Sequence, residues 1–407
     1  MRIVFFTHYF PPEGNAPASR TYENCRRWVE AGHEVTVITG APNVPAGVVY
    51  EGYQNRLWQR EVLDGIDVLR VWTYIAPNKG TAKRIANYVS YMMTSMLAGL
   101  LVRRPDILIS TSPQFFCGLA GMLVGRLRRV PRVLEIRDIW PESITAVGAM
   151  RRSAALRALE YLERFMYRSA SLLVTVGKGY RGKLIERGVP ARSIEVVTNG
   201  ADLSLFEPGP ADPGLRDRYG LGQRFAVAYV GTIGMASGLQ VAIRAGQKLA
   251  DQGDDSIRIV LVGDGAERAE IAAQARELSA VEVIGRLPKS EIPALLRSVD
   301  GCFIHLKGTP LFRTVLPSKM FEAFAMRRAV VLGLDGDARE IMERAEAGVF
   351  VRPDDEDDLI EKIRSLQADP AKCERLGDNG RKAAEQTFNR DTLAADYLQI
   401  LERLHAS

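Results

Sequence analysis

The sequence predicts an α/β protein built of two doubly wound domains in tandem. Short β-branched runs alternate with helical stretches along the whole 407-residue chain, the alternation restarts near Phe225, and glycine-bearing loops follow the strands of the second series. A chain of this length can hold about two or three domains, each burying its own core.

In the first series, strands are expected at Ile3-Val4-Phe5-Phe6, Val35-Thr36-Val37-Ile38, Val68-Leu69-Arg70-Val71, Ile107-Leu108-Ile109, Val133-Leu134-Glu135-Ile136 and Leu172 to Val176, with helices such as Ala18 to Ala31 and Ala154 to Ser169 between them. In the second, strands are expected at Ala226–Val230, Ile257–Val262, Val281–Ile284, Gly301–Ile304 and Ala329–Leu332. Helices at Leu239–Gln252, Ala266–Leu278 and Ser290–Val299 separate them. A Pro-, Gly- and Asp-rich stretch from Asn199 to about Leu221 reads as a linker. The last helix, Asp391 to His405, is expected to cross back, so that residues 1–198 with 391–407 form one domain and 199–390 the other. Ligands of open α/β sheets bind outside the carboxyl ends of the strands, and two such sheets would face one central cleft.

Composition narrows the function. Cys25, Cys117, Cys302 and Cys373 are scattered without zinc spacing, and the histidines are only His8, His33, His305 and His405, so neither a metal nor a disulfide framework is expected. The chain opens directly on a strand, without the features of a signal peptide. The net charge of +5 hides an asymmetry: residues 1–190 are strongly basic and residues 191–407 acidic. A basic half suits an anionic membrane surface or a phosphorylated acceptor. The aromatic interleaving of RNA-binding proteins is absent, so no nucleic-acid partner is expected.

Residues 85–102 form an apolar run, interrupted by polar residues and bracketed by Lys83, Arg84, Arg103 and Arg104. It is too short and too polar for a membrane span. Two readings stay open: a buried helix, or a helix lying on a bilayer with its basic ends on lipid phosphates. Phe115 to Arg129 repeats the theme, ending in Arg126, Arg128 and Arg129.

The most informative stretch is Leu316-Pro317-Ser318-Lys319-Met320-Phe321-Glu322, which reads as a helix with Pro in its first turn, a basic entry and a carboxylate one turn in. Lys307 and Arg313 precede it. Free N–H groups and the positive dipole end of a helix seat a phosphate, and Glu322 could reach a sugar hydroxyl beside it. The segment reads equally as an amphipathic helix with a solvated Glu. Three glycine loops each follow a strand: Gly231-Thr232-Ile233-Gly234-Met235-Ala236-Ser237-Gly238, Gly263-Asp264-Gly265 and Gly285-Arg286-Leu287. In register with Pro317–Glu322, they suggest a pocket for a nucleoside-diphosphate sugar.

In the first half, the turn Thr7-His8-Tyr9-Phe10-Pro11-Pro12-Glu13-Gly14-Asn15 lacks the dinucleotide fingerprint. Gly14 and Asn15 either let the backbone approach a diphosphate or are ordinary turn residues. Arg137, Asp138 and Glu142 follow a buried strand, and burying them unpaired is costly, which favours a role in the cleft over a structural ion pair.

These motifs together resemble the retaining, nucleotide-sugar-dependent glycosyltransferases of family four, which have the GT-B fold. The resemblance covers nearly the whole chain. It implies that the second domain holds the donor nucleotide, with the backbone near Arg286 and Leu287 at uracil, Glu322 on the ribose and the N–H groups of Leu316 to Ser318 on the diphosphate. Asn199-Gly200-Ala201-Asp202 is similar to the family's interdomain motif, and Arg339-Glu340-Ile341 through Gly348-Val349 to its late signature. Three features depart from the pattern. Thr232 and Ser237 stand where the family often carries Arg and Lys, Thr314 stands where many members carry a first Glu, and Arg327-Arg328-Ala329 replaces a small turn. Lys307, Arg313 and Lys319 are therefore expected to supply the missing charge. The Pro-Pro-Glu loop and Arg137–Ser143 resemble the subgroup that builds bacterial surface polysaccharides, nearest to transferases of N-acetyl-fucosamine-type sugars.

The activity so implied is metal-independent, retaining transfer from a UDP-sugar, with no cofactor, to a polyprenyl-diphosphate-linked sugar in O-antigen or capsule assembly. It would take place in the cytoplasm on the inner face of the plasma membrane, against anionic lipids. Asp138 would orient a sugar or act as a base, and His8 would line the acceptor side. The alternatives are a UDP-sugar 2-epimerase, disfavoured by the scarcity of His, and a non-catalytic nucleotide-sugar-binding protein.

Overall fold

The computed structural model describes residues 1–44, 47–75, 81–112, 114–139 and 154–406. The chain divides into a first unit, Met1–Thr198 with Asp391–Ser407, and a second, Asn199–Arg390.

Among the described residues, the first unit carries β1 (Arg2–Phe6), β2 (Glu34–Gly40), β3 (Trp58–Leu63), β4 (Ile66–Val71), β5 (Ile107–Thr111), β6 (Arg132–Ile136), β7 (Leu172–Thr175) and β8 (Ile194–Val196). They form one sheet in the order β3-β4-β2-β1-β5-β6-β7-β8. Its inner strands are buried on both faces, which is why they read as unbroken apolar runs rather than alternating ones. Each buried Val, Ile or Leu contributes about 1.5–3 kcal/mol. The exception is β3, an edge strand with alternating exposure that pairs antiparallel to β4. Asp64-Gly65 makes that hairpin, both residues at positive φ, and Asp-Gly is a strong two-residue hairpin signal. β3 is absent from the strands expected above, because half of its residues are polar.

The Ala16–Glu30 helix begins where Asn15 Oδ1 accepts the Ala18 N–H at 2.9 Å. Its Trp28 donates to Ala394 O at 3.0 Å and meets Tyr397 edge-on, which docks the Arg390–Ala406 helix onto this unit. The chain leaves the first sheet through Val197 and Thr198, whose carbonyls accept from Arg20. Arg20 is itself paired with buried Glu135 at 3.2 Å.

The second unit has β9 (Phe225–Val230), β10 (Ile257–Val262), β11 (Val281–Ile284), β12 (Gly301–His305), β13 (Ala329–Gly333) and β14 (Gly348–Phe350) among the described residues, all parallel, in the order β11-β10-β9-β12-β13-β14. The strand order reverses between β9 and β12, and such a switch point is where open α/β sheets take ligands.

The stretch expected as a linker is instead packed. Phe206 and Leu221 lie in the core of the second unit, Ala201 bridges Asn389, and Arg216 on the short Pro213–Arg218 helix donates to Ser298, Gly222 and Arg224 carbonyls. Its turn-forming residues mark bends rather than freedom.

The Thr81–Leu101 helix, which carries most of residues 85–102, is neither wholly buried nor wholly exposed. Tyr91, Ser95 and Ala98 are buried, while Met93 is 62% and Leu101 65% exposed. Among the described residues, no helix is long and apolar enough to cross a membrane.

Candidate active site

In the second unit, the loop after β9 is shaped by interlocking backbone. Gly231 N–H donates to Val262 O, and Ile233 N–H to Asp264 O. Gly263 sits at φ +147°, and a Cβ there would overlap the Gly231 carbonyl. Only glycine permits this approach. Gly263 and Asp264 thus support the first glycine loop from behind. Asp264 keeps its own carboxylate on the Gly265 N–H.

Ser237 does not offer its hydroxyl to a ligand. It donates to Thr232 O at 2.6 Å, with Tyr229 Oη 3.0 Å away, and so closes the loop on itself. This differs from its expected donor contact, because the small side chain is buried. Gly234 continues the loop and accepts the Ser237 N–H.

Lys319 stands in the first turn of the Ser318–Ala325 helix. Its Nζ lies 3.7 Å from the centre of the Tyr229 ring, a cation–π contact, and 2.7 Å from where a Cβ of Gly231 would be. The helix entry and the first glycine loop therefore meet at one ammonium. Pro317 occupies the N-cap, not the first turn, and Asn199 holds the preceding Leu316 carbonyl at 2.9 Å. Pro317 has no N–H, so Leu316–Ser318 cannot present a continuous row of donors. The helical amides left open by geometry start at Ser318 and Lys319. Glu322 is half-buried one turn on.

The other cations divide. Lys307 is half-buried after β12, its N–H on Ala236 O and its Cγ 3.0 Å from where a Cβ of Gly238 would be. Arg313 is exposed and paired with Asp335 at 2.6 Å, so part of its charge is already met. Arg286 is exposed after β11, and Leu287 packs on the core of this unit.

In the first unit, His8 follows β1, buried edge-on against Tyr9, Tyr88 and Tyr91, and burial lowers its pKa to about 4. Asn15 is the helix cap described above, with Gly14 exposed beside it. Glu13 accepts the Asn43 and Val44 N–H groups, and burial pushes its carboxyl up against those donations. Arg137 lies 3.7 Å from Glu135 and donates to the Ala16 and Pro17 carbonyls. These contacts give Arg137 structural partners within the first unit, beside the cleft role expected of it. The nearby helix start supplies acceptors that the sequence does not reveal. Asp138 stands in the next turn, its N–H 3.2 Å from Ser112 Oγ. Glu142 lies outside the described residues.

Of the basic residues read as membrane-facing, Arg128 is engaged otherwise. It donates to the Gly99 and Val102 carbonyls at 2.7 Å, ending the Thr81–Leu101 helix. Lys83, Arg84, Arg103, Arg104, Arg126 and Arg129 are exposed. Arg103 lies 3.5 Å from Glu34, and Arg104 donates to Arg129 O.

Sequence reasoning missed Tyr229 and His305. Tyr229 lies within an apolar strand run, and nothing local distinguishes it from core. His305, read only as evidence against a metal site, ends β12 at the switch point, and that position was its one available signal.

Residues 15–200 match the profile of the glycosyl transferase 4-like domain, and residues 215–383 that of glycosyl transferases group 1. A protein of Escherichia coli (strain K12) named as a colanic acid biosynthesis glycosyl transferase, WcaI, is 26% identical over 98% of this chain and 99% of its own. The GDP-mannose-dependent α-(1-6)-phosphatidylinositol monomannoside mannosyltransferase of Mycolicibacterium smegmatis is 27% identical over 74% of this chain and 83% of its own. Among solved structures, Anabaena Alr3699/HepE in complex with UDP-glucose superposes with a TM-score of 0.74 at 20% identity, covering 99% of this chain and all of that one. The chain belongs to the family-four glycosyltransferases, and its two Rossmann-like α/β units are those of the GT-B fold.

Proposed function

We propose that this glycosyltransferase moves a sugar from a UDP-sugar to a polyprenyl-diphosphate-linked acceptor in surface-polysaccharide assembly, with retention at the anomeric carbon and without a metal. The observation that carries the donor half is the Lys319 ammonium, held over Tyr229 against Gly231 at the entry of the Ser318–Ala325 helix. A helix entry, an adjoining glycine loop and a fixed cation suit a diphosphate. The UDP-glucose complex of Alr3699/HepE and the colanic-acid name of WcaI support the donor and the pathway class. The motif resemblance favours an N-acetyl-fucosamine-type sugar.

In this reading, the bond between the anomeric carbon and the diphosphate oxygen breaks and negative charge grows on the leaving phosphate. Lys319, with the Ser318 and Lys319 amides, stabilises that charge, the kind of preorganised contribution that dominates many enzymes. Lys307 adds to the local positive field, and Arg313 less so because of Asp335. The leaving phosphate oxygen takes the acceptor hydroxyl's proton on the face it departs from, so the new bond forms there and configuration is kept. Glu322 holds the ribose, the backbone near Arg286 and Leu287 the uracil, and Asp138 orients the sugar. The acceptor's lipid end lies against the inner leaflet of the plasma membrane, beside Lys83, Arg84, Arg103 and Arg104.

Isothermal titration with UDP-glucose and GDP-mannose tests the donor site. UDP-glucose should bind the wild type more tightly than GDP-mannose, and Lys319→Ala should weaken it by about tenfold to a hundredfold, the cost of a lost charge-assisted hydrogen bond. Equal affinity in Lys319→Ala would remove the lysine from the site, and tighter GDP-mannose binding would overturn the uridine reading.

A further inference from the structure

We propose that His305 is a positioning residue of the donor site, its neutral imidazole tying the glycine loop after β9 to the turn at Asp354 and so placing Lys307. This rests on the donor-site reading above. His305 is fully buried at the end of β12. Its Nδ1 lies 2.8 Å from Ser237 O, and its Nε2 3.0 Å from the Asp354 backbone nitrogen. A carbonyl can only accept and an amide N–H can only donate. Nδ1 must therefore carry the proton and Nε2 must be bare.

Two glycines leave the space that the ring occupies. A Cβ at Gly238 would sit 3.0 Å from His305 Cε1, and one at Gly333 would overlap His305 Cδ2. The partners carry the tie outward. The Asp354 carboxylate accepts the Gly308 N–H at 2.8 Å, and Arg244 donates to Asp354 O at 2.9 Å. Between them, Lys307 N–H donates to Ala236 O, next to Ser237. The loops that follow β9, β12 and β14 thus meet on one imidazole.

Protonation would undo this. A proton on Nε2 would face the Asp354 N–H, donor against donor. Burial disfavours the charged ring most, while the Ser237 carbonyl and the Asp354 carboxylate, 3.9 Å away, favour it, and Arg244 and Lys319 oppose it. The net effect keeps the pKa below 6.5, so the tie persists at neutral pH. His305 is also the sole histidine among residues 199–390, which makes the acid response of this unit traceable.

The experiment is calorimetric titration of the whole protein with UDP-glucose from pH 8 to pH 5. UDP-glucose is used because its diphosphate diester, unlike UDP, does not titrate in this range. Wild-type affinity should hold through neutral pH and then fall about fivefold as the imidazole protonates, the worth of one hydrogen bond. His305→Gln should already be weaker at pH 8 by a similar factor and show no further loss in acid. Nitrogen-15 spectra of the wild-type imidazole supply a readout that needs no variant to fold, and should show the Nδ1–H tautomer persisting below pH 6.5. An Nε2–H tautomer, or an affinity indifferent to both pH and substitution, would overturn the role of His305 alone. No UDP-glucose binding by the wild type at pH 8 would instead overturn the donor-site reading, and this inference with it.

Discussion

The two units treat apolar surface in opposite ways. Every large, clearly exposed hydrophobic side chain among the described residues lies in the first unit, from Val48, Trp58 and Trp72 to Met93, Leu97 and Leu101, except Met235 in the second. Most of the first unit, residues 1–190, is also the basic half of the chain. Apolar side chains left in water beside cations suit an anionic bilayer, where both kinds of group gain. The second unit hides its apolar residues and gathers glycine, helix-end amides and a lysine around one small space, which suits a compact anion. The same layered fold therefore carries outer surfaces of different chemistry in its two units. The distinction lies in the loops and outer faces rather than in the sheets.

This contrast can be broken in several places, starting with the largest effect. Gly263→Ala should destabilise the second unit by about 4 kcal/mol, combining backbone strain with overlap against Gly231 O, each about 1–3 kcal/mol. Its unfolding midpoint in urea should drop accordingly, and an unchanged midpoint would mean the loops do not interlock.

The first unit should instead respond to acid through His8. Burial holds its pKa at about 4 against 6.5 for the free group, so the unfolded chain takes up a proton that the folded unit refuses. The associated stability is fully present above pH 6.5 and is lost as pH falls toward 4. It amounts to about 3 kcal/mol. Denaturation of wild type and His8→Phe at both pH values checks this: the variant should lack that loss.

Changing both Leu97 and Leu101 to Ser should lower binding to phosphatidylglycerol vesicles by about tenfold or more at any salt, since each inserted Leu is worth about 1.5–3 kcal/mol. Changing Lys83, Arg84, Arg103 and Arg104 to Gln should lower it mainly at low salt. Met235→Ser is the matching control in the second unit and should leave vesicle binding unaltered. Sedimentation with vesicles reads all three, and equal binding throughout would end the bilayer interpretation.

The smallest effect is expected at Glu356, whose carboxyl is held at about 2 chiefly by hydrogen bonding from Arg244. The pair is solvent-accessible, so Glu356→Gln should alter stability by no more than about 1 kcal/mol by thermal melt.

Much of the architecture is legible in the order of the amino acids. β5, β10, β12 and β13 are buried on both faces, so their apolar runs announce themselves, and the restart near Phe225 marks the second sheet. β3, β8 and β14 are not legible in the same way, because edge strands are short or half polar and their pairing depends on a neighbour. At the site, the glycines and Lys319 stand out as residue types, but their meeting does not. Gly231 and Lys319 are far apart in sequence and come together only because β9 and the Ser318–Ala325 helix pack in one unit.

Local order, then, is written in the chain: which runs form strands, where helices begin, and where backbone needs glycine, because these depend on neighbours within a few residues. Long-range packing decided which polar groups became structural. Arg128 ends a helix on the Gly99 and Val102 carbonyls, Arg137 reaches the Ala16 and Pro17 carbonyls, and Trp28 answers the Ala394 carbonyl. A buried polar group bonds to whatever the fold brings beside it, and that partner is not encoded nearby.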